Sequence, residues 1–267
     1  MKIRFMSLGS GSSGNCYYLG TETYGLFIDA GIGIRSIKKI CKEYNLPLET
    51  IKGVFVTHDH ADHIKAVGHL AGKYNIPIYT TPEIHRGMNR SYCMTERISE
   101  ANTRFIHKEE SLQIEDFTIT CFEVPHDGSD NVGYCISIDG KVFSFLTDIG
   151  HITETAGKYI GCANYLILEA NYDESMLQMG PYPAHLKARI ASPTGHMSNR
   201  EMAEYLANHF PEGLQYLWLC HLSKDNNHPD LAFKTVELAL KEKNIIVGRD
   251  VQVIPLKRTS PSEIYSL

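Results

Sequence analysis

Thr57-His58-Asp59-His60-Ala61-Asp62-His63 is the most informative stretch of this 267-residue sequence. Ordinary solvated loops rarely hold so many histidines so close together. Side chains two residues apart in extended backbone point the same way, so His58 and His60 face one side. Asp62 and His63 are neighbours and diverge, which favours ligands to two metal ions rather than four ligands to one.

The donor types in this stretch indicate which metals it binds. Imidazole nitrogen and carboxylate oxygen together suit zinc, and they also suit manganese or iron. We therefore expect two divalent ions, with Zn²⁺ as the first choice and Mn²⁺ or Fe²⁺ as alternatives. Two cations about 3.5–4 Å apart activate a shared water as the nucleophile and clamp both oxygens of an in-line displacement.

Other apolar runs also end in a residue that binds metal or transfers protons. The residues at these ends are Asp29, His58, His126, Asp148, Glu169 and His221. Layered folds commonly deliver functional side chains from one edge of a sheet, where loops gather them. We expect the six ends to contribute to one site.

The chain is predicted to be a single α/β domain over residues 1–267, because no linker, repeat or low-complexity segment interrupts it. Short strand patterns fill the first half, and Asp139-Gly140 predicts a hairpin with a type I′ turn. Helical patterns cover residues 34–44, 64–74, 199–209 and 231–243. Ser198 with Glu201 forms a capping box, and Asp230 is a candidate N-cap. Strands followed by helices in both halves predict two sheets packed face to face with helices outside.

Composition limits the partners and the compartment. The net charge is −5 with no long basic run, so a nucleic acid would be held by a local patch. No stretch approaches the ~20 apolar residues of a membrane helix, and the apolar segment at the start is too short for a signal peptide. Seven single cysteines without a Cys-x-x-Cys pair indicate the cytoplasm. The sequence does not indicate an oligomeric state.

The His-x-His-x-Asp-His pattern at residues 58–63 resembles the signature of the metallo-β-lactamase superfamily, and the other strand-end residues follow that superfamily's order. The resemblance covers nearly the whole chain and implies a four-layer αββα sandwich. It implies one metal on His58, His60 and His126, a second on Asp62, His63 and His221, and Asp148 as the bridge. Asp62 is also expected among the catalytic residues, and Asp29 is expected to orient a ligand.

Three further segments resemble the YycJ (WalJ) branch, which is related to tRNase Z and associated with 5′-end DNA exonuclease activity. They are Gly11-Ser-Ser-Gly-Asn-Cys16, Gly195-His-Met-Ser-Asn199 and the residues from His221 to Pro229. The resemblance implies that His196, paired with Glu169, protonates the leaving oxygen. His221 follows Asp148 by 73 positions, which leaves no room for the inserted domain (β-CASP) of RNase J-type enzymes.

Several of these residues keep a simpler interpretation. His126 and His196 also fit ordinary turns, and Asn226 and Asn227 are turn formers as well as candidate substrate contacts. Lys187 and Arg189, with a tyrosine nearby, are candidate phosphate contacts, although any solvated segment carries such residues.

Other functions also stay open at this point. A lactonase, thioesterase or cyclic phosphodiesterase would use the same metal scaffold. Gly9-Ser-Gly-Ser-Ser-Gly14 matches the dinucleotide fingerprint, but a strand pattern follows where that motif requires a helix. A non-catalytic metal protein or an oxidoreductase is the remaining class.

Overall fold

A computed structural model describes the whole chain, residues 1–267, as two compact units. Unit 1 comprises Met1–Glu110, Gly128–Asp130 and Lys257–Leu267, and unit 2 comprises Ser111–Asp127 and Asn131–Leu256. Units of this size fall within the usual size range of domains. The single domain without an insertion therefore stays a prediction.

The chain forms fourteen strands, nine α-helices and two 3₁₀ turns (Leu48–Thr50 and Glu100–Asn102). In chain order the strands and helices are β1 (Arg4–Gly9), β2 (Cys16–Gly20), β3 (Gly25–Ile28), α1 (Ile34–Glu43), β4 (Ile51–Phe55), α2 (Ala61–Ile64), α3 (Val67–Tyr74), β5 (Ile78–Thr80), α4 (Pro82–Arg90), β6 (Thr103–Phe105), β7 (Ser111–Ile114), β8 (Phe117–Glu123), β9 (Val132–Ile138), β10 (Lys141–Leu146), α5 (Glu154–Gly161), β11 (Tyr165–Glu169), α6 (Glu174–Met179), α7 (Ala184–Ile190), α8 (Asn199–Asn208), β12 (Tyr216–Cys220), α9 (Pro229–Glu242), β13 (Gln252–Pro255) and β14 (Tyr265–Ser266).

Each unit contains one seven-stranded mixed sheet. The sheet of unit 1 has the order β14-β1-β2-β3-β4-β5-β6, and that of unit 2 has the order β13-β12-β11-β10-β9-β8-β7. The first three pairings of unit 1, from β14 to β3, are antiparallel, and the three from β3 to β6 are parallel. Unit 2 repeats this division, with antiparallel pairings from β7 to β10 and parallel ones from β10 to β13. Two mixed sheets with helices confirm the predicted α/β class.

Burial explains why the central strands are continuous apolar runs. Every residue of β2, β3 and β11 is buried, as expected for strands covered on both faces. In unit 2 the core continues into the helices, where Met202 and Leu206 of α8 and Val236 and Leu240 of α9 are fully buried. These side chains recur at helical spacing, which gives each helix one apolar face.

The predicted turns and caps are mostly confirmed. Asp139 and Gly140 have φ of 50° and 72° and connect β9 to β10, as a type I′ turn requires. Ser198 and Glu201 form the predicted capping box at α8. The predicted N-cap of α9 is wrong: His228 is the N-cap, because Pro229 is well suited to the first helical position.

The glycine-rich loop joins two strands rather than a strand and a helix. β1 ends at Gly9, and β2 begins at Cys16 and runs antiparallel to β1. Gly14 has φ +151°, and a Cβ there would lie 2.7 Å from Ile32. This geometry excludes the helix that a dinucleotide fingerprint needs.

The carboxyl ends of the strands carry the polar residues noted in the sequence. In unit 1, Asp29 directly follows β3, and His58 comes three positions after β4. In unit 2, Asp148 follows β10, Glu169 ends β11 and His221 follows β12. Since β10, β11 and β12 are parallel neighbours, their ends lie at one edge of the sheet.

No helix combines the length and the apolar character that crossing a membrane requires.

Candidate active site

The histidine-rich segment of unit 1 lies between β4 and α2. His60 is the N-cap of α2, so the backbone changes from extended to helical immediately after it. The ring centroid of His58 lies 4.6 Å from that of His60 and 4.0 Å from that of His63. The helical turn therefore returns His63 to a position beside His58.

The backbone of residues 62 and 63 is held by the two loops that follow β1 and β3. The Asn15 amide donates to the Asp62 carbonyl at 2.7 Å, and the Ala30 amide donates to the His63 carbonyl at 2.9 Å. A Cβ at Gly31 would lie 1.6 Å from the Asp62 carbonyl oxygen. Only glycine permits this close approach.

Asp29 orients His63. Its Oδ2 lies 2.7 Å from His63 Nδ1, and both side chains are completely buried. Its Oδ1 accepts a hydrogen bond from the Thr57 amide at 2.8 Å. Burial raises the pKa of Asp29, and the charge and hydrogen bond of His63 only partly oppose this rise. Because Nδ1 is engaged by a carboxylate, a metal would bind His63 through Nε2.

Asn15 lies beside this cluster, and no role was predicted for it from the sequence. Its Nδ2 lies 2.9 Å from His63 Nε2 and 3.4 Å from Asp62 Oδ2. The glycine loop holds the amide, since Asn15 Oδ1 accepts from the Gly11 amide at 2.8 Å. Asn15 therefore faces the atoms of Asp62 and His63 that could bind a metal.

Unit 2 contains a second cluster, around the buried carboxylate of Glu169. The donor atoms of Asp148, Glu169, His196 and His221 all lie within 4.8 Å of one another. Glu169 Oε1 is 2.7 Å from His196 Nδ1 and 2.9 Å from His221 Nδ1. Its Oε2 accepts from the Ile149 amide at 2.9 Å and more weakly from the Met197 amide. One carboxylate thus holds both histidines, whereas the sequence paired it with His196 alone.

These contacts move the pKa values of the pair in opposite directions. Burial would raise the pKa of Glu169, but the charge of His196 and the hydrogen bonds from His196 and His221 bring it below 4.5. Burial would lower the pKa of His196, but the charge and hydrogen bond of Glu169, and then the charge of Asp148, raise it above 6.5. The carboxylate therefore favours a protonated imidazole at His196.

His126 lies in the same unit, with its ring centroid 5.0 Å from that of His196. Its Nδ1 donates to the Gly195 carbonyl at 2.8 Å. Burial lowers the pKa of His126, although the charge of Asp148 acts in the opposite direction. A neutral imidazole whose Nδ1 is engaged by a carbonyl has the form that binds a metal through Nε2.

His221 has an unusual backbone, with φ of 52°. Its Nδ1 lies 2.8 Å from Asp148 Oδ1, and Asn171 Nδ2 donates to its carbonyl at 2.9 Å. Asn171 is a further residue that the sequence did not indicate, because it ends no apolar run.

The four predicted substrate contacts fall into two groups. Arg189 is half exposed, and its Nε donates to Asp127 Oδ2 at 2.6 Å. Lys187 is partly buried, and its Nζ donates to the Gln178 carbonyl at 2.6 Å. Asn226 and Asn227 are buried, with 0% and 3% of their surface exposed. This burial does not favour direct contact with a substrate, and that role stays a prediction.

The donors in both units fit a divalent transition metal. Each cluster combines imidazole nitrogen with carboxylate oxygen, the set preferred by zinc, manganese and iron(II). Carboxylate or carbonyl oxygens engage Nδ1 of His63 and His126, as is typical of metal-binding histidines. The residues present therefore suit the predicted cofactor class, and they do not choose among these metals.

Comparison with known families agrees with this chemistry. Residues 25–216 match the family model described as a beta-lactamase superfamily domain. The chain belongs to the metallo-β-lactamase superfamily.

Two relatives match almost over their full lengths. Exodeoxyribonuclease YycJ of Bacillus anthracis is 32% identical over 265 residues, covering 99% of this chain and 99% of that protein. Exodeoxyribonuclease WalJ of Streptococcus pneumoniae is 32% identical over 251 residues, covering 94% and 93%. The predicted resemblance to this branch is confirmed, and the chain is a hydrolase.

Solved structures confirm the predicted fold. The metallo-β-lactamase fold protein YhfI of Bacillus subtilis superposes with a TM-score of 0.71 at 19% identity, covering 100% of this chain and 99% of that one. The short form of human tRNase Z gives a TM-score of 0.64 at 16% identity, covering 98% and 99%. At these identities the likeness shows the fold alone.

Proposed function

We propose that the chain is a dinuclear metal-dependent phosphodiesterase that degrades nucleic acid, acting as a 5′-to-3′ exonuclease on DNA. The observation that carries this proposal is the pair formed by His196 Nδ1 and the buried carboxylate of Glu169, 2.7 Å apart. A phosphodiester leaving group is an alkoxide, which leaves far more readily when an acid protonates it. The names of the YycJ and WalJ relatives support DNA as the substrate.

The proposed metal ligands are the residues that the superfamily resemblance implies. They are His58, His60, Asp62 and His63 in unit 1 and His126, Asp148 and His221 in unit 2. When bound, two such ions act as Lewis acids and make water a nucleophile near neutral pH. Zn²⁺ is the first proposal for the metal, with Mn²⁺ and Fe²⁺ as alternatives.

His196 is proposed to protonate the leaving oxygen through Nε2. Glu169 holds Nδ1, so the ring is fixed in orientation and its positive charge is stabilised. The side chain of His196 is 19% exposed, which leaves one part of the ring accessible to a substrate. Glu169 itself is fully buried, and therefore acts through His196 and His221 rather than on the substrate.

Asp29 and Arg189 are proposed to act outside the ligand set. Asp29 fixes the tautomer of His63, as carboxylates beside metal-binding histidines do. Arg189 is held at Nε by Asp127 and is proposed to contact backbone phosphate with its remaining N–H groups, together with Lys187. A local group of cations raises the concentration of an anionic strand at the surface of a protein whose net charge is negative.

We also propose the cytoplasm as the location. The seven cysteines are present as thiols, and a reducing compartment keeps them in that state.

The proposed function is tested by digestion of labelled nucleic acids. The substrates are single- and double-stranded DNA and RNA with a 5′-phosphate or a 5′-hydroxyl, each with Mn²⁺ or Zn²⁺. We expect stepwise release of nucleotides from the 5′ end of DNA. Failure to cleave any nucleic acid, together with hydrolysis of a lactone or a thioester, would contradict the proposal and identify a small-molecule hydrolase.

A further inference from the structure

The backbone of His221 adopts a conformation that needs support. A φ of 52° lies in the left-handed region, which histidine adopts more readily than most side chains but still at a free-energy cost. Asn171 makes two hydrogen bonds to this turn, one at His221 and one at Ser223. Its side chain donates to the His221 carbonyl at 2.9 Å, and its own carbonyl accepts from the Ser223 amide at 2.8 Å. Asn171 therefore holds the turn on which His221 lies.

Asn171 is held in turn by a buried pair of amides. Asn227 Nδ2 donates to the carbonyls of Ala170 and Asn171 at 2.8 and 3.0 Å. The side chains of Asn227 and Asn199 also face each other amide to amide, with both N-to-O distances at 2.9 Å, so the two hydrogens of Asn227 Nδ2 are shared among three oxygens. Asn199 and Asn227 are only 1% and 3% exposed. Unsatisfied amides at such depth are costly, so these bonds specify one arrangement.

The amide pair also reaches the segment that carries His196. Asn199 is the first residue of α8, three positions after His196. The backbone N–H of Asn199 donates to the Tyr172 carbonyl at 2.8 Å. The backbone N–H of Asn171 donates to the Met197 carbonyl at 3.0 Å. Two backbone hydrogen bonds thus join the segment after β11, which contains Asn171, to the loop that contains His196.

We propose that Asn171, Asn199 and Asn227 are positioning residues, here called the amide cluster. They fix the positions of His196 and His221 against the Glu169 carboxylate that both histidines contact. Asn227 serves the site from within the protein rather than by touching the substrate. The catalytic consequence rests on the proposed function, since it requires His196 to be an acid and His221 to be a metal ligand. The effect of the amide cluster on metal binding requires only that the site bind a metal.

Metal binding provides a readout that does not depend on turnover. Asn227→Asp keeps the shape of the side chain but places an oxygen against two carbonyls and removes the donor. We expect the affinity of chelator-stripped protein for Co²⁺ to fall by about 10–100-fold and the visible absorption of bound cobalt to shift. If this variant does not fold, Asn199→Asp is measured instead. It disrupts only the two hydrogen bonds between the side chains of Asn199 and Asn227, and we expect the same changes in cobalt affinity and absorption.

Asn164→Asp is the matched control. Asn164 directly precedes β11, at the end opposite to Asn171, and likewise bonds the backbone, accepting from the Val142 amide and donating to the Gly213 carbonyl. We expect it to lower the melting temperature while cobalt affinity and absorption stay those of the wild type. Equal cobalt properties in Asn227→Asp and Asn164→Asp would overturn the proposal.

Kinetics separate positioning from substrate contact. On labelled DNA, Asn227→Asp is expected to lower kcat and to leave KM unchanged. A raised KM with unchanged kcat would assign Asn227 to the substrate and overturn the proposal. A wild type that binds cobalt but cleaves no nucleic acid contradicts the proposed function alone, because the cobalt comparison still decides the role of the amide cluster.

Discussion

Replacing His196 by alanine tests the chemical step that separates a phosphodiesterase from other enzymes of this fold. The substitution removes the proposed acid, and such acids contribute about 10²–10⁴-fold to the rate. This range corresponds to about 2.7–5.4 kcal/mol of activation free energy. We expect kcat on DNA to fall by that factor.

The structure indicates that the rest of the site survives this change. Without His196, Glu169 still accepts hydrogen bonds from His221 and from the amides of Ile149 and Met197. The carboxylate is therefore not left unpaired, and the protein should fold with its metal content intact. His196 lies outside the proposed ligand set, so elemental analysis should give the wild-type metal-to-protein ratio.

The assay compares two leaving groups. DNA releases an alkoxide that needs a proton, whereas a p-nitrophenyl phosphodiester releases a stabilised anion that does not. We expect His196→Ala to lose less than about tenfold on the nitrophenyl ester, against 10²–10⁴-fold on DNA. His151→Ala is the control, since His151 is an exposed histidine of the same unit whose Nδ1 lies 2.8 Å from the Pro193 carbonyl oxygen. Equal losses on the two substrates, or a comparable loss in the control, would refute the assignment.

Three further predictions concern other parts of the chain. Asp29→Asn should weaken Mn²⁺ binding by about 10–100-fold by calorimetry, because His63 loses its carboxylate, and an unchanged affinity would remove Asp29 from this role. The binding constant K for DNA falls as salt rises, and Arg189→Ala should make the slope of log K against log salt concentration less steep by about one. An unchanged slope would show that Arg189 makes no phosphate contact. Cys162 has a pKa of about 7, lowered mainly by the hydrogen bond from Cys135, so its alkylation should reach half its maximal rate near pH 7. Cys135→Ala should move this profile to higher pH, and an identical profile in that variant would contradict the assigned cause.

The strand-end residues could be predicted because they depend on local pattern. A buried strand is an apolar run in the sequence, and the polar residues that end it or closely follow it lie at the edge of the sheet. This rule found Asp29 and His58 in unit 1 and Asp148, Glu169 and His221 in unit 2. The hairpin turn and the capping box follow from equally local rules.

The residues that support the site could not be predicted in the same way. Asn15 and Asn171 act through contacts with residues 48 and 50 positions away, and nothing in their neighbouring sequence announces those contacts. The second bond of Glu169, to His221, arises from the pairing of β11 with β12, which the sequence does not specify. Asn227 was noticed in the sequence, but its burial depends on the packing around α8 and α9.

Bound metal ions are proposed to make this chain a nuclease. The most direct measurement titrates chelator-stripped protein with Mn²⁺ while following both bound metal and release of nucleotides from 5′-labelled DNA. We expect no cleavage without metal and full activity when two ions are bound per chain. Cleavage by the metal-free protein, or two bound ions with no cleavage of DNA, would contradict this proposal.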